Sequence, residues 1–168
     1  MVEYLCINIV LFLKMQSFDD IILKRTNNSD PDFKLLISLL DEYLAKRNGE
    51  AHAFYAPNNK LDYIETAVLA YNDDLPIGCG CFKKIDNDTI EIKRMYVNPE
   101  MRGKGIASAV LAALEIWAKD LDYKQAILET GVDFDDAIHL YKKAGYSVID
   151  NYGPYVGKTK SVCLRKIL

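Results

Sequence analysis

Val97-Asn98-Pro99-Glu100-Met101-Arg102-Gly103-Lys104-Gly105-Ile106-Ala107 is the stretch whose reading decides the fold, because a strand becomes a helix there. Its two glycines let the backbone turn tightly and approach a ligand without Cβ obstruction. Successive N–H groups, added to the unpaired donors and positive dipole of the new helix, form an anion nest. Arg102 and Lys104 add formal charge, so the expected ligand is a phosphate or pyrophosphate. A Walker A loop is excluded twice: Asn98 stands at its first glycine position, and Gly105 follows the lysine. A dinucleotide fingerprint fails at Ser108, where a third Gly or Ala is required. A plain glycine-rich strand-to-helix turn with solvent-facing bases stays open on the hexapeptide alone.

Upstream of the turn, Ala67–Tyr71, Ile77–Ile85 and Thr89–Val97 read as three strands. They are separated by Asn72-Asp73-Asp74 and Asp86-Asn87-Asp88, which are turn chemistry, so they form an antiparallel meander. Before them, Ile21-Ile22-Leu23 is a short β-like run. Asp30-Pro31 caps a helix whose stripe is Phe33, Leu36, Ile37, Leu40 and Leu44, stopped at Asn48-Gly49. Residues 50–62 are polar and poorly periodic and read as a loop that could wall a substrate site. Downstream, Ile106, Val110, Ala113, Leu114 and Trp117 make a helical stripe ending at Asp120. Gln125–Leu128 is a strand, Asp135–Ala144 a helix closed by Gly145, and Tyr146–Ile149 and Ser161–Ile167 are final strands. A meander feeding a β-α-β-α unit predicts one α/β domain, a mixed and mostly antiparallel sheet with helices on both faces.

Half of the 168 residues are hydrophobic, 27% are charged, and the net charge is −3. That balance argues against nucleic acid, whose affinity rests on phosphate neutralisation, and leans weakly toward a cationic, amine-bearing acceptor. Cys79 and Cys81 flank one glycine and point to one face of a strand. C-x-C without a second pair is a poor zinc signature, so all four cysteines are expected reduced, in a cytoplasmic protein with no bound metal. Leu5–Leu13 is too short to span a membrane, and it lacks the charged start and cleavage site of a signal peptide. Residues 1–14 are read either as an extension upstream of a start at Met15 or as an extra packing element, and residues 15–168 as a single domain.

The segments around the turn resemble the GNAT superfamily of N-acetyltransferases. Arg102-x-x-Gly105-x-Ala107 matches its Q/R-x-x-G-x-G/A signature, and Glu91–Pro99 resembles its fourth strand. Leu128-Glu129-Thr130-Gly131 is similar to its fifth strand, and Ala137–Tyr146 to its A-I-x-L-Y-x-x-x-G-[FY] segment. The resemblance covers residues 65–168 in order and is only general before them.

The resemblance implies acetyl-CoA as cosubstrate and no metal. The pyrophosphate would rest on the amides of Arg102, Gly103, Lys104, Gly105, Ile106 and Ala107, with the Ser108 hydroxyl beside them. Pantetheine would pair with Met95 and Val97 where a bulge splays the fourth and fifth strands, and the acetyl carbonyl would take an amide near Met95 or Tyr96. A neutral primary amine, of a small molecule or a peptide, would attack the thioester directly. Tyr141 matches the family's acid position and would protonate the departing thiolate. Glu91 is the first candidate for the base and Glu129 the reserve; some relatives use no single base, and Glu91 could equally be a strand carboxylate paired with Lys93 or Arg94. His52 and His139 have no motif behind them. Phe134 departs from the Asn or Gln that many relatives place there, so no cofactor contact is carried to it. The loop at 150–160 is expected to border the acceptor site, and the apolar N-terminus and last strand pair are where a homodimer could form. A catalytically idle acyl-CoA-binding module and an unrelated nucleotide-binding domain are the competing functions.

Overall fold

The computed structural model describes residues 21–48 and 64–168. The expectations for residues 1–14, Met15, the 50–62 loop, His52 and Gly49 lie outside the described residues. Seven strands join one sheet: β1 (Ile21–Thr26), β2 (Ala67–Asn72), β3 (Leu75–Lys84), β4 (Thr89–Val97), β5 (Gln125–Gly131), β6 (Ser147–Ile149) and β7 (Ser161–Ile167). Their spatial order is β1-β2-β3-β4-β5-β7-β6. Every neighbouring pair is antiparallel except β4 and β5. A parallel pair needs a long crossover, and α2 (Ile106–Asp120) supplies it.

The helices form because their caps and stripes agree. The Asp30 carboxylate accepts the Asp32 N–H at 2.9 Å, and Pro31 opens α1 (Pro31–Asn48). The α1 stripe of Phe33, Leu36, Ile37 and Leu40 is buried on one face of the sheet against Leu69, Cys79 and Cys81. The α2 stripe of Ile106, Val110, Leu111 and Leu114 is buried on the opposite face with Val68, Phe82, Ile90 and Ile92. Each such side chain contributes about 2 kcal/mol of burial free energy. α3 (Asp135–Lys143) joins the α2 face mainly through Tyr141, and Gly145 closes it at φ 93°. The expected mixed α/β sheet with helices on both faces is the observed one. Its helix and strand ends fall within one to three residues of the expected positions; β5 runs on to Gly131.

Cys79, Cys81 and Cys163 are buried free thiols, and burial pushes Cys81 up to about 12. Among the described residues no cluster of three or more His, Cys, Asp or Glu is placed to hold a metal ion. Among them, too, no helix is long and apolar enough to cross a membrane.

Candidate functional site

The seam between β4 and β5 is closed at one end and open at the other. The two strands pair only from Thr89–Glu91 to Gln125–Ile127, although β4 continues to Val97 and β5 to Gly131. The parting begins where β4 takes an extra residue. Cys79 faces Tyr96, yet Cys81 faces Lys93, so three steps on β4 oppose two on β3. Arg94 carries the bulge at φ 59°, a left-handed conformation that costs a non-glycine residue about 1–2 kcal/mol. Its guanidinium reaches α1, where Nη2 donates to Asp41 at 2.6 Å, and this anchors the bulge. Opposite it, Gly80 is required by space: a Cβ there would collide with the Met95 sulfur and lie 3.0 Å from Leu114.

The bulge also resets which side chain faces which layer. Glu91 and Lys93 share the α1 face; without the extra residue Met95 would follow them. Instead Met95 packs toward the α2 cluster and Tyr96 takes the α1 face. The Asn98 N–H donates to Ile77 of β3 at 2.9 Å, so by alternation the amide of Val97 faces the opening.

Beyond Val97 the chain makes a 3₁₀ turn, Pro99–Met101, capped by the Asn98 side chain. Gly103 and Gly105 then adopt φ 76° and 81°, with open space where a Cβ would stand. Gly105 is the N-cap of α2, and no side chain caps the helix. The first intrahelical bond runs from the Ala109 N–H to Gly105, leaving the amides of Ile106, Ala107 and Ser108 as free donors of the first turn. No acidic residue occupies that turn. This is an anion nest at the mouth of the parted strands. The Arg102 side chain turns back from it: Nε donates to the Val97 carbonyl at 3.1 Å and the guanidinium lies 4.9 Å from the Tyr43 ring. Phe134, across the mouth, is stacked by Arg47 at 4.0 Å.

Tyr141 of α3 is 6% exposed, its ring edge-on to Tyr146 at 5.8 Å. Burial, then the charge of Glu129, push its phenol above the ordinary value. On the other face, Glu91 is 3% exposed at the last closed position of the seam. Lys83 stands 3.1 Å from its Oε2, Lys93 stands 3.5 Å from Oε1, and the Tyr152 hydroxyl donates to Oε1 at 2.9 Å. Its pairing is with Lys93, as one reading of the strand anticipated, and not with Arg94. Two residues farther along the same face of β5 than Ile127, Glu129 sits beside Ser161 and Lys93, and its Oε1 is buried without a hydrogen-bond partner among the described residues. Burial, and less strongly the charge of Glu91, raise its carboxyl above the ordinary value against the lowering pull of Ser161 and Lys93.

A cavity of about 620 Å³ opens on this face over the closed half of the seam. Glu91, Lys93 and Ile127 floor it, Lys83 and Arg165 flank it, and the 3₁₀ turn Gly153–Tyr155 with Tyr152 borders it. The 150–160 loop therefore lines a cavity, as expected. Lys83, Arg165 and the bond from Tyr152 to Glu91 were not foreseen. Lys93 follows from Glu91 by strand alternation, but Lys83 faces Glu91 only through the β3–β4 register, and Arg165 faces Ile127 only because β7 inserts beside β5. His139 is exposed on α3.

The comparisons with known proteins agree with this geometry. Residues 33–146, more than half of the chain, match the model of the acetyltransferase (GNAT) family. An IAA acetyltransferase of Azospirillum brasilense is 31% identical over 142 residues, 79% of this chain and 88% of that protein. An uncharacterized N-acetyltransferase of Bacillus subtilis is 32% identical over 59% of this chain and 67% of its own length. A Klebsiella pneumoniae structure assigned to the acyl-CoA N-acyltransferases superposes with a TM-score of 0.73 at 28% identity, covering 88% of this chain and 97% of that one. A GNAT acetyltransferase of Elizabethkingia anophelis, solved with acetyl-CoA bound, shares the fold at a TM-score of 0.65 and 22% identity, over 89% and 99% of the two chains. With its parted strands, its amide nest and these relatives, the chain belongs to the acetyltransferase (GNAT) family, enzymes that pass an acyl group from acetyl-CoA to an amine.

Proposed function

We propose that this chain acetylates the primary amine of a small molecule or peptide that also carries an anionic group, and that Tyr141 protonates the departing CoA thiolate. The carrying observation is that the β4–β5 seam parts beyond Glu91 toward the amide nest, while a cavity of about 620 Å³ lies over its closed half with Glu91 in its lining. The amides from Gly103 to Ala107, with Ser108, hold the pyrophosphate, the Arg102 N–H donating instead to the Pro99 carbonyl at 3.3 Å; the open space at Gly103 and Gly105 and the uncapped first turn of α2 fit such a group. The edges of Met95, Tyr96 and Val97 hold the pantetheine arm, with the Val97 amide facing the opening. Acetyl-CoA supplies the thioester. The protein orients the acceptor nitrogen, keeps water out and moves protons.

The anionic group follows from the cavity's own charges. Lys83, Lys93 and Arg165 line it against Glu91 and Asp86 alone, and the Asp86 carboxylate is engaged in its own turn with the Asp88 N–H. One carboxylate, Glu91, answers two ammonium groups, and Arg165 adds a third cation. The net charge of the whole chain points the other way, because it averages over surface that never meets the acceptor.

The test is CoA release from acetyl-CoA with β-alanine, dipeptides and other amino carboxylates against spermidine and simple alkylamines, alongside calorimetry with CoA and ATP. Amino carboxylates are expected to show at least a tenfold advantage in kcat/KM, about 1.4 kcal/mol for one desolvated charge contact. Equal rates for spermidine would overturn the acceptor class. CoA binding no better than ATP would overturn the use of the nest, and CoA binding without turnover on any amine would favour the idle binding module.

A further inference from the structure

We propose that Glu129, and not Glu91, is the base that takes the proton of the acceptor ammonium, with Glu91 acting as a positioning residue. This rests on the acetyl-transfer reading of the same cleft. The two carboxylates lie on adjacent strands and on one face of the sheet, but their oxygens are spent differently. Both oxygens of Glu91 are engaged, by Lys83, by Lys93 and by the Tyr152 hydroxyl. Such a carboxylate already has its charge matched by two ammonium groups and one oxygen held by a hydroxyl. Glu129 stands past the last β4–β5 pair, where the seam has opened, and its Oε1 is buried with no donor to accept from among the described residues. A buried acceptor left bare costs about 1–3 kcal/mol, more when charged, and an arriving ammonium group removes that cost.

The groups facing Glu129 from the surrounding elements are consistent with this role. Glu91 and Lys93 face it from β4, and Ser161 and Cys163 from β7; Tyr141 lies on the opposite face of the sheet, near enough to feel its charge. Its burial raises the proton affinity of its carboxylate, the direction a proton acceptor needs. The charge of Glu129 is also one of the two causes that hold the Tyr141 proton in place.

The atoms balance. Glu129 removes one proton from the ammonium, and the neutral nitrogen attacks the thioester carbonyl carbon. The N–C bond forms and the C–S bond breaks, with the electron pair leaving on sulfur. Tyr141 lends its proton to the sulfur, and the second proton lost by nitrogen restores the phenol. One amide, one thiol and one proton released from Glu129 to solvent remain.

The experiment compares two acceptors, β-alanine, whose nitrogen is an ammonium at neutral pH, and hydroxylamine, whose nitrogen is already unprotonated there. Glu129→Gln is expected to lose at least about 100-fold in kcat with β-alanine, together with the low-pH limb of its rate profile. With hydroxylamine it is expected to stay within about threefold of the parent protein, because no base is required. Glu91→Gln is expected to affect both acceptors by the same factor. Equal losses for both acceptors in Glu129→Gln, no loss with β-alanine, or the selective loss appearing in Glu91→Gln instead would each overturn the proposal. If Glu129→Gln fails to fold, Glu129→Asp, which withdraws the carboxylate by one methylene, must show the same selectivity. A parent protein that acetylates hydroxylamine but not β-alanine overturns the assignment of a base while leaving acetyl transfer standing. A parent that acetylates neither overturns the acetyl-transfer reading, and this proposal with it.

Discussion

In the closed half of the β4–β5 seam, Thr89, Ile90 and Glu91 pair with Gln125, Ala126 and Ile127, whereas the open half, from Ile92 to Val97 and from Leu128 to Gly131, has no cross-strand partner on that side among the described residues. The same two strands, a few residues apart, do two jobs. In the closed half the backbone is satisfied by its neighbour, and Glu91 is held by two ammonium groups and one hydroxyl. In the open half the backbone edge and the Glu129 oxygen are left for something else to satisfy. A carboxylate's role here is set by how many of its lone pairs the fold has already used.

This contrast can be broken most severely at the proton-transfer groups of the open half. After Glu129→Gln, the next largest effect is expected from Tyr141→Phe. It should lower kcat by about 100-fold while leaving the affinity for acetyl-CoA unchanged by calorimetry, because the phenol is asked only to hold and lend a proton. Intact turnover in Tyr141→Phe would remove it from the mechanism and leave it as packing against Tyr146.

A smaller effect is expected where the opening originates. Among the described residues, Asp41→Ala removes the hydrogen-bond partner of the Arg94 guanidinium, whose Nε and Nη1 are already without one. Because Asp41 is itself half exposed, the loss is expected at about 2 kcal/mol, below the range for a fully buried pair, and read as a lower Tm. If the bulge depends on this anchor, acetyl-CoA affinity falls with it; a lowered Tm at constant affinity would show that the seam opens without Arg94 being held.

The smallest effect is expected at the mouth. Gly105→Ala meets no steric obstacle but must hold φ near 81°, at about 1 kcal/mol, or about fivefold in the Kd for acetyl-CoA. Unchanged affinity would mean that the nest is not where the pyrophosphate rests.

The order of strands and helices was legible in the sequence by itself, because the punctuation is local. Asp30-Pro31, the Asp-Asn turns and Gly145 act through their own backbone, and the stripes of α1 and α2 repeat at helical spacing. The strand-to-helix glycine turn was legible for the same reason: its donors come from consecutive residues, Gly103 to Ser108. Only the tertiary structure decided what depends on register and on distant partners. The extra residue at Arg94 moves Tyr96 to the α1 face and Met95 off it, and nothing in Lys93-Arg94-Met95-Tyr96 announces the shift. The insertion of β7 between β5 and β6 brings Arg165 and Cys163 beside Ile127 and Glu129. Tyr152 reaches Glu91 across 61 positions of chain. Which of two glutamates keeps a vacant oxygen is therefore a property of the packed sheet. Side-chain pairing across strands carries no periodic signal in the sequence of either one.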